Sequence, residues 1–361
     1  MKFKVNAIEF YEGINPVLSV VPSRTTLPVL TNFILDVKKE GISAYATDLE
    51  VSVMVKTHGE VEEEGKIGLP AKSFGEIMKN IDGDVEFELL ESHLYCRYPR
   101  GRVSFPVIMP EDYPEAIIPS KEGGFEIERV TLAAMVEKTV FATASSERVA
   151  RRAMVGVLFH IEDDTLKLVA SDGTRLAFVS RKIEGGEPIK VIVPPQVLNF
   201  IKKMDDEKIT VKIEEGRIGI SGENMTVSAR LIEEEYPDYE AVIPWDNDKI
   251  LRIEKEKLVN VIKRVSIFAT PQAKGIEFSL TPERMVVKAQ SEMGEAEEEL
   301  EGEFDGTGID VTFNYQMLLE IIRRIEDERI EITLKEPASP TLIRGEGRED
   351  QFYLLMPLVG I

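Results

Sequence analysis

The chain has 361 residues, 43% of them hydrophobic and 30% charged, which is enough apolar material for the cores of two or three domains. No apolar stretch approaches the roughly 20 residues of a membrane helix, and the N-terminus has no signal-peptide pattern, so we expect a cytoplasmic protein without membrane attachment. The formal net charge of −21 argues by itself against nucleic-acid binding, so the positions of the 44 basic residues matter.

The first third of the chain has the patterns of strands and of two helices. A strand followed by a helix is predicted from Phe3, and NFILDV, which begins at Asn32, predicts another strand. In Leu69–Asp82 apolar residues recur at the spacing i, i+3, i+4, i+7, which is typical of an amphipathic helix. The alternation in VEFELLESHLYCRY then predicts a hairpin, and YPEAIIP closes the segment at Pro119.

The same order of elements returns twice. The strand–helix pattern begins again at Phe125 and Leu251, and the amphipathic helix pattern returns at Val193–Asp206 and Phe313–Asp327. The first apolar positions of the three helices are residues 74, 197 and 318, so the offsets are 123 and 121 residues. We infer three repeats, at 1–120, 125–245 and 249–361, each with two helices packed on antiparallel sheets. The predicted fold class is therefore α+β.

Basic residues occupy matched positions on the second helix of each repeat. Lys79, Lys202 and Arg323 align, and the next position holds Lys203 and Arg324 in two of the repeats. For one helix, solvated cations that offset the helix dipole near its C-terminus would be a sufficient explanation. Three matched helices instead favour a common basic surface for DNA phosphates. The acidic clusters would lie on the sheet face: Glu62–Glu64, Glu233–Glu235 and Glu297–Glu299. This division of charge reconciles DNA binding with an acidic chain.

Motifs of known catalytic sites are absent from the sequence. It has no G-x-x-x-x-G-K-[ST], G-x-G-x-x-G or G-x-S-x-G segment, and its three histidines stand alone. The repeated Asp48 and Asp172 leave open an enzyme of the carbohydrate or phosphoester type, although an Asp before a turn more often caps the backbone. A repeat scaffold that binds proteins without DNA is a further alternative. We expect no catalytic residue, metal or cofactor.

A series of motifs extends from one end of the chain to the other: MKFKV, RTTLPVL, ATDLE, ASDGTRLA, YPDY and YLLMPL. In the order and spacing of these motifs the chain resembles the bacterial DNA sliding clamps, the β subunits of the replicative DNA polymerase. The resemblance implies the DNA-clamp fold, with three domains per chain and a head-to-tail homodimer that closes a six-domain ring. It also implies a processivity factor that encircles duplex DNA and tethers the polymerase, the clamp loader and repair proteins.

Two sets of site residues follow from the resemblance. The family's DNA-contacting positions fall on Arg24, Arg148, Arg151 and Arg152. Its hydrophobic pocket for clamp-binding peptides falls on Met154, Ser171, Gly173, Thr174, Arg175, Leu176, Pro237, Val242, Met356, Pro357 and Leu358. The sequence departs from the family at Ala241, where some members have an arginine, and in its LVGI tail, where many end in Met-Arg-Leu. We expect the apolar part of the pocket to persist and its polar rim to differ.

Overall fold

The computed structural model describes residues 1–119, 122–145, 151–270, 272 and 274–359. The chain forms two compact units. The first comprises Met1–Ala133, Glu184–Gly186 and Val193–Leu231, and the second comprises Ala134–Ile183, Glu187–Ile192 and Ile232–Ile361. The middle third of the chain therefore contributes to both units. The bounds of the three repeats stay a prediction.

The first third of the chain follows the predicted order of elements. Its helices are α1 (Ala7–Val20) and α2 (Ala71–Met78), so both predicted helices are confirmed. Its strands are β1 (Lys2–Asn6), β2 (Asn32–Lys38), β3 (Gly41–Thr47), β4 (Val51–Thr57), β5 (Glu60–Glu63), β6 (Gly65–Pro70), β7 (Asp84–Leu90), β8 (His93–Tyr98) and β9 (Gly101–Pro106). The Asn6 side chain accepts a hydrogen bond from Glu9 N and so caps the start of α1.

The middle third differs from prediction at its second helix. Its helices are α3 (Arg129–Glu137) and α4 (Pro195–Leu198), and its strands are β10 (Phe125–Glu128), β11 (Val157–Glu162), β12 (Thr165–Ser171), β13 (Arg175–Lys182), β14 (Ile189–Val193), β15 (Lys208–Glu214), β16 (Arg217–Ser221) and β17 (Met225–Arg230). A single helix over Val193–Asp206 is wrong, because α4 is followed by a separate 3₁₀ turn at Ile201–Lys203. Hydrogen bonds from Lys203 N to Phe200 O and from Met204 N to Ile201 O tighten the chain there.

The last third again follows the predicted order. Its helices are α5 (Lys255–Val265) and α6 (Tyr315–Ile322), and its strands are β18 (Lys249–Glu254), β19 (Gly275–Leu280), β20 (Met285–Ser291), β21 (Gly294–Glu299), β22 (Gly302–Asp305), β23 (Ile309–Asn314), β24 (Arg329–Leu334), β25 (Thr341–Gly345) and β26 (Gln351–Leu355). The Asn314 side chain caps α6 by accepting from Gln316 N and Met317 N. Among the described helices of the chain, none is long and apolar enough to cross a membrane.

Two antiparallel sheets build the first unit. One has the strand order β5-β1-β7-β8-β9, and the other has the order β10-β15-β16-β17-β4-β3-β2-β6. In the larger sheet β17 pairs with β4, which places Val227 opposite Val53. Strands of the first and middle thirds therefore share one hydrogen-bonded sheet. Aromatic rings fill the core against the smaller sheet, where Phe74 of α2 lies 5.1 Å from Phe105, measured between ring centroids.

The second unit also joins strands that are distant in sequence. Its sheets have the orders β14-β11-β12-β13-β26-β25-β24-β18-β22 and β21-β20-β19-β23. Strand β13 pairs antiparallel with β26, with Ala177 opposite Tyr353, and the rings of Phe178 and Phe352 stack with centroids 4.5 Å apart. This pairing brings the turn between β12 and β13 beside the residues that follow β26. The candidate site lies at that junction.

Candidate functional site

A cavity of about 300 Å³ opens in the second unit beside the start of β13 and the end of β26. Nine residues of the predicted pocket line it: Met154, Ser171, Gly173, Thr174, Arg175, Leu176, Pro237, Val242 and Met356. The other two predicted residues, Pro357 and Leu358, follow directly in the chain without lining the cavity. Leu358 N instead donates a hydrogen bond to Thr312 O at 2.8 Å. The structure therefore brings together most of the predicted residues.

Six further residues complete the lining of the cavity. They are Arg151, Tyr236, Asp238, Tyr239, Pro340 and Leu354. The two tyrosines and Asp238 belong to the YPDY motif, and Leu354 belongs to YLLMPL. A signal for these residues was therefore present in the sequence. Pro340 has no such signal, because only the folding of the sheet brings the loop between β24 and β25 to this place.

The cavity has an apolar wall that combines buried and exposed side chains. Leu176 is only 5% exposed and belongs to a core cluster with Phe178 and Phe352. Val242 and Met356 are 50% and 38% exposed. A firm apolar floor with exposed apolar side chains at its mouth suits a ligand that inserts apolar groups.

Tyr236 and Tyr239 line the cavity as well, although most of each side chain is buried. Burial raises the pKa of both phenols, so each stays protonated at neutral pH. The Tyr239 hydroxyl lies 2.9 Å from Nδ1 of His160 and donates to Glu240 Oε1 at 3.0 Å. Burial lowers the pKa of the His160 imidazole, which favours its neutral form. These contacts fix the orientation of Tyr239 in the wall.

The turn between β12 and β13 is organised by Asp172. Its Oδ1 accepts hydrogen bonds from Thr174 N at 2.9 Å, Thr174 Oγ1 at 2.7 Å and Arg175 N at 3.0 Å. Asp48 does the same in the first repeat, where its Oδ1 accepts from Val51 N at 2.7 Å. Both repeated carboxylates therefore cap local turns, which confirms the backbone role considered for them.

Arg175 is one of two arginines that line the cavity in the described part of the chain, and its guanidinium makes three hydrogen bonds to the protein. Its Nε donates to Asp172 Oδ2 at 3.0 Å, its Nη1 to Glu320 Oε2 at 2.5 Å and its Nη2 to Phe141 O at 2.8 Å. The guanidinium carbon also lies 5.0 Å from the centroid of the Phe141 ring. The side chain is 12% exposed. It is thus built into the wall.

Four predicted DNA-contacting residues lie in the first unit, and all of them are exposed: Arg24, Lys79, Lys202 and Lys203. Lys79 follows α2 and pairs with Glu76 at 2.8 Å, one turn earlier in the chain. Lys203 Nζ donates to Ser19 Oγ at 3.0 Å, which joins the 3₁₀ turn to α1. The matched basic positions are therefore accessible in the first unit.

The predicted DNA-contacting residues of the second unit differ from one another. Arg152 and Arg323 are exposed, whereas Arg151 is exposed but lines the cavity. Arg324, predicted to belong to the common basic surface, is half-buried against the Phe141 ring, 5.2 Å from its centroid, and lies 3.4 Å from Glu137 Oε1. A cation–π contact with this ring keeps the Arg324 guanidinium partly buried. Arg148 lies outside the described residues.

In the part of the chain that the structure describes, no group of three or more His, Cys, Asp or Glu side chains is placed to hold a metal ion. His160, which contacts the cavity residue Tyr239, is engaged in the hydrogen bond with its hydroxyl. The expectation that the protein needs no metal or cofactor stays a prediction.

Comparison with known proteins gives one consistent family. Sequence models of the N-terminal, central and C-terminal domains of the DNA polymerase III beta subunit match residues 1–117, 126–238 and 240–359. A beta sliding clamp of Pseudomonas putida is 28% identical, with 99% of this chain and 100% of the relative covered. A sliding clamp of Pseudomonas aeruginosa, solved with griselimycin bound, has a TM-score of 0.93 at 27% identity over 99% of both chains. The structure of the DNA polymerase III beta subunit of Thermotoga maritima has a TM-score of 0.91 at 25% identity, with 100% of both chains covered.

Proposed function

The chain belongs to the family of DNA polymerase III beta subunits, and on this premise we propose that it is a processivity factor of DNA replication. Two copies join head to tail into a closed ring that encircles duplex DNA and slides along it without sequence specificity. The observation that carries the proposal is the match of three family domains, in order, over almost the whole chain. A polymerase tethered to such a ring rebinds its template before it diffuses away.

Two sheet edges support a head-to-tail dimer. Strand β9 ends the five-stranded sheet of the first unit; the exposed Arg102 lies on it, and the exposed Arg100 directly precedes it. Strand β21 ends the four-stranded sheet of the second unit and carries the exposed Glu295, Glu297 and Glu299. Pairing a basic edge with an acidic edge of the other copy would cover both, and a heterologous contact of this kind closes a ring if its rotation closes.

The exposed basic residues support sequence-independent contact with DNA. Lys and Arg side chains at helix ends reach phosphates, which carry no sequence information. We assign this contact to the exposed Arg24, Lys79, Arg151, Arg152, Lys202, Lys203 and Arg323. The predicted Arg148 and the half-buried Arg324 belong to the same proposal. Weak contacts suffice, because the closed ring and not its affinity for DNA would retain the protein.

The cavity supports the second part of the function, which is capture of partner proteins. We assign it to short, extended peptides of the polymerase, the clamp loader and other proteins with clamp-binding motifs, whose Leu or Phe side chains enter beside Leu176, Val242 and Met356. Arg151, which the sequence assigns to DNA, also lines this cavity. The protein itself catalyses no reaction and requires no nucleotide or metal. Its compartment is the cytoplasm, where bacterial DNA is replicated.

Negative-stain electron microscopy of the purified protein at low concentration tests the ring. We expect closed particles with an open centre and roughly six lobes, two sets of three domains. Compact particles without a hole, over a range of concentrations, would contradict the ring and favour a protein scaffold.

A charge-reversal variant separates the clamp from a scaffold that ignores DNA. Replacement of Lys202, Lys203 and Arg323 by Glu should weaken retention on DNA and leave peptide binding intact, because these side chains do not line the cavity. Retention equal to that of the unaltered protein would show that the basic surface is assigned wrongly. Peptide binding by both proteins serves as the control for folding.

A further inference from the structure

The guanidinium of Arg175 is held by three hydrogen bonds from the protein although the residue lines the peptide cavity. Each of its three nitrogens donates to a protein oxygen, from Asp172, Glu320 or Phe141, and the longest of these bonds is 3.0 Å. Bonds to two carboxylates are charge-assisted and are stronger than bonds between neutral groups. Arg175 therefore cannot turn towards a ligand without losing one of them.

The charges around this guanidinium add to a negative total. Arg175 contributes +1, and its partners Asp172 and Glu320 contribute −1 each, so the group carries a formal charge of −1. Arg324, which also contacts the Phe141 ring, lies near Glu137, and this pair leaves the total unchanged. The sequence alone would suggest that Arg175 attracts a ligand carboxylate. With Asp172 and Glu320 included, the same carboxylate would meet a net negative charge.

The two carboxylates that hold Arg175 differ in what else they do. Asp172 also accepts three hydrogen bonds within its own turn, so its removal would disturb the backbone of the cavity. Glu320 approaches from α6, and its side chain is 44% exposed. Glu320 can therefore be altered without removing the caps of the turn.

We propose that Glu320 determines the charge selectivity of the cavity by holding Arg175 in place and cancelling its charge. The inference rests on the proposed peptide-binding function. Glu320 is a positioning residue, because it acts through Arg175. The ligand class that this arrangement favours is an extended peptide with apolar anchor side chains and no acidic residue facing Arg175.

The variant Glu320→Gln tests the proposal, because glutamine keeps the length and the acceptor oxygen but removes the charge. The ligands are two polymerase-derived peptides that differ only in a residue flanking the apolar anchors, Glu in one and Gln in the other. The flanking position is taken on each side of the anchors in turn. We expect Glu320→Gln to improve binding of the Glu peptide relative to the Gln peptide by about three- to tenfold at low salt. The gain should shrink as salt is raised.

Two controls separate charge from structure. Glu320→Asp keeps the charge and should keep the preference of the unaltered protein. Glu256→Gln makes the same charge change at an exposed position on α5 that does not line the cavity, and should leave the preference unchanged.

The outcomes distinguish the inference from the function beneath it. If the unaltered protein binds both peptides and Glu320→Gln leaves their relative affinity unchanged, the inference is wrong. Equal weakening of both peptides would assign Glu320 a purely structural role and would also overturn it. If the unaltered protein binds neither peptide, the proposed function of the cavity fails, and the inference fails with it.

Discussion

Met356 offers the most direct residue-scale test of the cavity, because its side chain is 38% exposed at the cavity mouth. We predict that Met356→Asp weakens binding of a polymerase-derived peptide at least about tenfold, since an apolar anchor would lose its contact and meet a charge. Isothermal titration calorimetry measures the change.

Met293→Asp is a matched control for that substitution. Met293 is 71% exposed in the second unit and does not line the cavity, so the same change there should leave peptide affinity intact. Equal effects at both positions would refute the assignment of the cavity. Leu176 is a poorer probe, because an Asp in place of this buried side chain would destabilise the fold itself.

His160 predicts a pH dependence of stability. Burial lowers its pKa below the ordinary 6.5, and the nearby Lys167 acts in the same direction. As the pH falls below about 6.5, the unfolded chain binds a proton at His160 more readily than the folded protein does, so the free energy of unfolding falls. Well above pH 6.5 the imidazole is neutral in both states, and His160 no longer makes stability depend on pH.

The corresponding experiment compares the unaltered protein with His160→Gln. From about pH 7.5 to about pH 5.5 we expect the unaltered protein to lose more stability than the variant. Urea unfolding at both pH values measures this difference. A constant offset between the two proteins would mean that only the hydrogen bond to Tyr239 was lost and that the proton linkage is absent.

At the scale of single residues, the sequence could locate most of the cavity but not how its charges are used. Nine of its lining residues were predicted from motifs of one family. Two arginines contact the ring of Phe141, and this was not predictable, because the contact depends on side chains far apart in sequence. For the same reason the sequence did not place Arg151, which it assigns to DNA, in the lining of the cavity.

Among the elements, α2 is held to the first unit chiefly by Phe74. This side chain is fully buried, and its ring centroid lies 5.3 Å from that of Phe33 and 5.9 Å from that of Phe87. We predict that Phe74→Ala lowers the free energy of unfolding of the first unit by about 3–5 kcal/mol, because it leaves a cavity that the surrounding rings cannot fill.

Urea unfolding followed by circular dichroism measures this loss. Lys72→Ala, an exposed change on the same helix, should stay within about 0.5 kcal/mol of the unaltered protein. A loss below about 1 kcal/mol for Phe74→Ala would mean that the aromatic cluster collapses around the vacancy or contributes little.

Apolar spacing predicted burial better than it predicted the type of helix. Val197, Ile201 and Met204 are buried as the spacing required, although the segment is a short α-helix and a 3₁₀ turn. Both helix types bring residues three apart to one side, so this spacing does not distinguish them. The prolines at 194 and 195 marked where the helix begins.

For the whole molecule, the proposed ring predicts retention by topology. Protein loaded on circular duplex DNA should stay bound at about 0.5 M salt, where phosphate contacts are largely screened, and should leave when the DNA is cut once. Gel filtration of labelled protein with its DNA measures retention. Equal loss from circular and cut DNA would contradict encirclement.

The sequence could not predict which segments of the chain form each of the two units, and the reason is physical. Alternation of apolar residues identifies a strand and its buried face but does not identify the neighbouring strand. The β17–β4 and β13–β26 pairings join segments that are far apart in the chain, and they distribute the middle repeat between two units. Three repeats were visible in the sequence, whereas this sharing of sheets was not.

The β13–β26 pairing has a consequence for the order in which the protein is made. A ribosome delivers β13 long before β26, so the nascent chain carries an edge of β13 whose partner strand does not yet exist. The first unit, by contrast, has all its strands once residue 231 has left the exit tunnel. One edge of the apolar strand β13 therefore stays unpaired until the last residues of the chain are made. A stalled or truncated product would keep this edge exposed, and such an edge favours aggregation.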